Sequence, residues 1–114
     1  GGSLTCGIAS AIRALKPNAK IYAVEVETAA PLSASWATGK PEKIEYTPSF
    51  VDGIGGASVL PQMFKIASEL LDGVIVVSLE EIAKAIKLVA ERNKTIVEGA
   101  GAAAVAAALS GRAG

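Results

Sequence analysis

The sequence has 114 residues, 51% of them hydrophobic, with 11 Lys and Arg balanced by 11 Asp and Glu, no His and a single Cys. It is too apolar for a disordered segment, and its zero net charge gives no electrostatic footprint for nucleic acid or an anionic membrane, which leaves one compact domain or a piece of one. Lacking His, and with Cys6 alone, it cannot build a His-based triad, a mixed Cys/His zinc site or an intrachain disulfide, so any chemistry falls to carboxylates, lysines, hydroxyls or a bound cofactor.

Leu4, Ile8, Ile12 and Leu15 recur at helical spacing, and Gly7, Ala9, Ala11 and Ala14 keep the other faces thin, which predicts a helix packed closely on a flat surface. Lys16-Pro17-Asn18 ends it. Lys20 to Glu27 (KIYAVEVE) reads as a strand with apolar residues on both faces, as in a central parallel strand. Thr28 to Gly39 predicts a short helix, with Pro31 near its first turn and Gly39 at its end. Residues 40 to 57 carry Pro41, Pro48, Gly53, Gly55 and Gly56 and read as a loop, with Asp52-Gly53 as an ordinary turn signal.

Leu60, Met63, Phe64, Ala67, Leu70 and Leu71 form an amphipathic helical stripe closed by Asp72-Gly73, and Val74 to Val77 is a short apolar strand. Ser78-Leu79-Glu80-Glu81 has capping-box spacing and predicts a helix with a buried stripe of Ile82, Ile86 and Val89, flanked by Ala83 and Ala90 and fraying near Arg92 to Lys94. Ala102 to Leu109 has the highest helix propensity in the chain. The run Gly99 to Leu109 is well short of the roughly 20 apolar residues a membrane span needs. No charged-then-apolar leader opens the sequence, and an unpaired Cys suits a reducing cytoplasm. The alternation predicts a three-layer α/β fold, a parallel sheet flanked by helices, over residues 1–114. Two strands make a poor sheet, so either residues 40 to 57 add one or neighbours lie outside the sequence.

Three groups of residues carry candidate chemistry. Gly1-Gly2-Ser3-Leu4 opens a helix, where flexible backbone, free N–H groups and a hydroxyl suit a phosphate, or where two glycines simply form a turn. Glu98 begins Glu98-Gly99-Ala100-Gly101, either as a carboxylate placed at a positive helix end or as a proton donor or ring contact made by burial. Glu25 and Glu27 share a strand face by alternation and could hold a divalent cation, or stand solvated at the strand's end. Lysines 16, 20, 40, 43, 65, 84, 87 and 94 occupy expected surface or helix-end positions, without the apolar setting a nucleophilic lysine needs.

In order along the chain, GGSL before a helix, YAVEVE, the DG of FVDG, VVSLEEI and VEGAGAAA resemble consecutive parts of fold-type II pyridoxal-phosphate enzymes (the tryptophan synthase beta-like superfamily), nearest to the threonine/serine dehydratase (ammonia-lyase) branch. The resemblance implies an incomplete cofactor domain, running from the phosphate loop to the helix after the EGAGA motif. Gly1, Gly2, Ser3 and Leu4 would be the remnant of the glycine loop that holds the phosphate of pyridoxal 5'-phosphate, with Ser3 in place of a glycine. Glu98 would lie by the cofactor as a supporting or proton-relay group. Some relatives bind a divalent cation through a glutamate at the position of Glu25, a carbonyl at that of Ala29 and an aspartate where this sequence has Pro31, which cannot supply a carboxylate.

The family's Schiff-base lysine and substrate-binding asparagine loop precede the phosphate loop. On this resemblance the chain, which opens on Gly1 and whose only Met is Met63, is a fragment with no catalytic residue of its own, and is inactive alone. The implied parent is a cytoplasmic homo-oligomer that removes ammonia from threonine or serine. Serine racemase and cysteine synthase types are alternatives within the superfamily, and a stand-alone phosphate- or partner-binding α/β module is the alternative outside it.

Overall fold

The computed structural model describes residues 1–114. Helix α1 (Ser3–Leu15), strand β1 (Tyr22–Val26), helices α2 (Pro31–Thr38) and α3 (Pro61–Leu70), strand β2 (Gly73–Val77), and helices α4 (Leu79–Asn93) and α5 (Gly99–Leu109) follow in that order. β1 and β2 pair in parallel, Tyr22 opposite Gly73 through Val26 opposite Val77. Residues 40 to 57 add no strand. Their loop is pinned instead by the N–H of Ile44 on the carbonyl of Ala57 and that of Thr47 on the carbonyl of Thr28, at 2.7 and 3.0 Å.

Alternation along the strands divides two apolar layers. On one face Val26, Ile75 and Val77 pack with Ile82 and Ala85 of α4 and with Ala102, Ala103, Ala106 and Ala107 of α5. On the other, Ala23 packs with Cys6 and Ala9 of α1, Leu32 of α2 and Ala67 of α3. The result is helices α1 to α3 on one side, α4 and α5 on the other, and a two-stranded parallel sheet between them.

Three local differences from the sequence reading have physical causes. In α1 three of the four stripe residues, Leu4 (78% exposed), Ile8 and Leu15 (79%), face outward and only Ile12 packs on the core, while the thin face bearing Cys6 and Ala9 meets α3. Small side chains permit close helix packing, and periodicity locates a stripe without saying what covers it. In α4 the fully buried residues are Ile82 and Ala85, and Ile86 and Val89 are half-buried at the edge. Helix α5 begins at Gly99 because Glu98 caps it, accepting the N–H groups of Ala100 and Gly101. The capping box at Ser78 is formed in full, the Ser78 hydroxyl accepting the Glu81 N–H at 3.0 Å and Glu81 accepting the Ser78 N–H at 3.2 Å.

The start of the strand pair is locked by charge. Arg13 Nε donates to the Leu70 carbonyl at 3.0 Å, and its terminal nitrogens reach the carbonyls of Pro17 (3.0 Å) and Ala19 (2.7 Å) and Asp72 Oδ2 (2.7 Å). Asp72 Oδ2 also accepts the Ile21 N–H at 2.7 Å. The backbone bond from Ile21 and the Arg13 guanidinium hold the Asp72 carboxyl below the usual aspartate range.

Candidate functional site

At the carboxyl end of β1 a cleft of about 330 Å³ opens between Gly1–Thr5, the strand residues Ala23, Val24 and Glu25, Leu32 of α2, and the loop residues Gly53, Ile54 and Gly55. Helix α1 enters it from a glycine. Gly2 has φ +91°, a left-handed geometry that suits glycine, and no side chain caps the helix behind it. The first helical N–H to find a partner is that of Cys6, on the carbonyl of Gly2 at 2.9 Å. Those of Ser3, Leu4 and Thr5 donate to nothing in the chain. Three unpaired amides at the positive end of a 13-residue helix are donors that an anion could accept from.

The Ser3 hydroxyl lies 3.8 Å from Met63 Sδ. Thr5, also in the lining, adds a second hydroxyl-bearing residue.

Three other helix starts are already provided for. Glu25 accepts the Leu32 and Ser33 N–H groups, one on each oxygen, at 2.9 and 3.0 Å. Burial pushes its carboxyl above the ordinary glutamate range, and the two backbone bonds act in the opposite direction. Glu27 lies one residue beyond β1, where its Oε1 accepts the Leu79 N–H of α4 at 3.0 Å. The two carboxylates that alternation put on one face are thus committed to different helices. No group of three or more His, Cys, Asp or Glu stands together as a metal site. Ala29 is buried, Pro31 opens α2, and a Cβ on Gly55 would lie 2.5 Å from that of Ala29, so the loop rests directly on the candidate cation position.

Glu98 receives the N–H groups of Ala100 and Gly101 at 2.7 and 2.6 Å and is not in the cleft lining. It abuts Gly53, which is: a Cβ there would lie 3.4 Å from Glu98 Oε2 and 2.9 Å from the Ala100 Cβ. The structure therefore gathers Gly1, Gly2, Ser3, Leu4 and Glu25 around one cleft and sets Glu98 behind its wall. The sequence reading missed that wall, although the glycines of the 53 to 56 loop were its available signal. All eight lysines are exposed, and none lines the cleft. No helix is long and apolar enough to cross a membrane.

A family profile described as "Pyridoxal-phosphate dependent enzyme" matches residues 1–114. An L-threonine ammonia-lyase of Geobacter sulfurreducens is 41% identical over 112 residues, 98% of this chain and 28% of that protein. Its counterpart in Thermotoga maritima is 36% identical over 110 residues, 96% of this chain and 27% of that protein. Among solved structures, a T.th. threonine deaminase superposes with a TM-score of 0.91 at 34% identity, covering 99% of this chain and 41% of that one. Maize serine racemase gives 0.88 at 36% identity, covering 96% and 34%. The chain spans between about a quarter and two fifths of the length of these relatives.

Proposed function

The chain belongs to the pyridoxal-phosphate dependent enzyme family, and from that premise we propose that its residues form part of the cofactor domain of a threonine/serine ammonia-lyase, which converts threonine to 2-oxobutanoate and ammonia. The observation that carries this reading is the uncapped start of α1, where the N–H groups of Ser3, Leu4 and Thr5 have no partner and the cleft is lined by those same residues. A phosphate monoester fits such a receptor, because it brings charge and acceptor oxygens where the helix offers only donors.

When bound, pyridoxal phosphate supplies the electron sink for removing the substrate's α-proton and losing its β-hydroxyl. The chain's part is to hold and orient it. Gly1 and Gly2 let the backbone approach the phosphate, and Ser3 to Thr5 donate to it. Ile54 and Leu32 supply an apolar wall to the cleft. Glu98, already accepting two N–H groups, acts as a fixed supporting carboxylate behind Gly53. Glu25 serves α2 in this reading, and a divalent cation at Glu25 and Ala29 would have to displace the amides of Leu32 and Ser33 from the carboxylate.

In this reading the lysine that holds the cofactor in this family lies outside residues 1–114, which the exposure of all eight lysines here and their absence from the cleft lining support. The 114-residue chain is accordingly inactive alone. The whole protein is read as a cytoplasmic homo-oligomer, the compartment resting on unpaired Cys6 and the assembly on resemblance.

The test is to assay the whole protein and the isolated 114-residue chain with L-threonine, L-serine and pyridoxal phosphate. The whole protein should show a visible cofactor band and release a 2-oxo acid and ammonia, and the isolated chain should release neither. Turnover by the isolated chain, or a whole protein that takes up no cofactor, would overturn the reading. The 36% identity to maize serine racemase makes racemisation the second reading. Accumulation of D-serine without 2-oxo acid would favour it.

A further inference from the structure

We infer that Gly53 is a positioning residue: lacking a side chain, it lets the 53–55 wall of the cleft lie directly on the amino end of α5, which fixes the Glu98 carboxylate relative to the cleft's occupant. The backbone at Gly53 is outside the left-handed region, so other residues could adopt its conformation, and what the site lacks is room. An added Cβ would stand 2.9 Å from the Ala100 Cβ, a distance such atoms do not tolerate, and 3.4 Å from Glu98 Oε2.

The 3.4 Å approach to Glu98 is ordinary contact, so the clash is with Ala100, while the other carboxylate oxygen is more closely approached: a Cβ on Gly101 would lie 3.2 Å from Glu98 Oε1. Glu98 thus lies beside two glycines, and its oxygens accept N–H groups at 2.7 and 2.6 Å. At the first residue of α5, Gly99 meets Val51 in the same manner, a Cβ there falling 2.9 Å from Val51 Cγ2 and 3.1 Å from its Cα. The segments 50–53 and 98–101 therefore interlock at glycines. A side chain at 53 must either drive the loop into the cleft, where Gly53, Ile54 and Gly55 form the lining, or shift the first turn of α5 at Ala100, whose N–H is one of the two that Glu98 accepts. Both outcomes change what the occupant meets.

The identity of that occupant rests on the proposed function, but the steric coupling does not. The experiment compares four forms of the whole protein: wild type, Gly53→Ala, Ala100→Gly and the double variant. Each is titrated with pyridoxal phosphate, followed by its absorbance, and without cofactor each is read by hydrogen exchange at the N–H groups of Ala100 and Gly101. Gly53→Ala should weaken cofactor binding by roughly tenfold or more, the scale of an overpacked contact, and speed exchange at both amides.

Ala100→Gly removes the opposing Cβ, so the double variant should recover most of both losses, while Ala100→Gly alone reports the cost of a glycine in the first turn. The inference fails if Gly53→Ala binds and exchanges as wild type does, or if the double variant is no better than the single one. Should Gly53→Ala not fold, the double variant decides, since it must fold and bind within a few-fold of wild type. If wild type takes up no pyridoxal phosphate, the functional reading falls, and the exchange comparison still judges Gly53.

Discussion

The two ends of the strand pair are built from opposite materials. At the amino end one guanidinium and one carboxylate, Arg13 and Asp72, gather α1, α3 and both strand starts into a single charged clamp. At the carboxyl end Glu25, Glu27 and Glu98 are each committed to the start of a different helix, and closeness is achieved by glycine against alanine or valine. Only α1 among the helices bordering the cleft arrives there on a glycine with its first amides free. The comparison teaches where binding belongs in this fold. One end ties its charged groups to backbone within the chain, and at the other the N–H groups of Ser3, Leu4 and Thr5 stand unpaired beside the cleft.

If that division is right, the largest effects on stability come from crowding the carboxyl end. Gly99→Ala should cost about 2–3 kcal/mol in chemical unfolding, the upper part of the overpacking range, because the atoms it meets include the Val51 Cα and the Phe50 carbonyl, which cannot swing aside. A loss under about 0.5 kcal/mol, typical of a tolerant surface position, would show that the interlock is loose. Next, Ser78→Ala should cost about 1 kcal/mol by opening the capping box at the end of β2, with Glu81 left to Arg112.

The smallest effect at the amino end is one of pH. The Asp72 carboxyl is held below its usual range, so its contribution is present above that range and is lost as pH falls through the lowered value. Asp72→Asn should therefore be less stable than wild type at neutral pH, with the gap closing between about pH 5 and pH 2. A gap constant across that window would remove Asp72 from the clamp.

Much of this was legible in the sequence, for reasons that can be named. Ser78 and Glu81 are three residues apart, so their capping box is a local fact and α4 starts where the spacing says. The free amides behind Gly1-Gly2 follow from two adjacent glycines before a helical stripe. The outward turn of Leu4 and Leu15 was not legible, because a stripe of large residues and a stripe of small ones both qualify as packing faces until the partner is known. Glu25 and Glu27 separate because β1 ends at Val26 and the chain bends there, the Ala29 N–H returning to the Val26 carbonyl at 3.0 Å. The contacts of Gly53 with Glu98 and of Arg13 with Asp72 join distant parts of the chain, and no spacing rule reaches that far.

The parallel pairing also sets the order in which the chain acquires its structure. Bringing Ile21 to Asp72 closes a loop of 51 residues, whose length-dependent entropy alone is about 3.5 kcal/mol, before the first sheet bond can form. Helices α4 and α5 are joined by only a few residues and bury Ile82 against alanines at little such cost. The α4–α5 hairpin is then the early structure and the sheet the late one, so the cleft, which needs β1 and the 53–55 loop in place, is completed last.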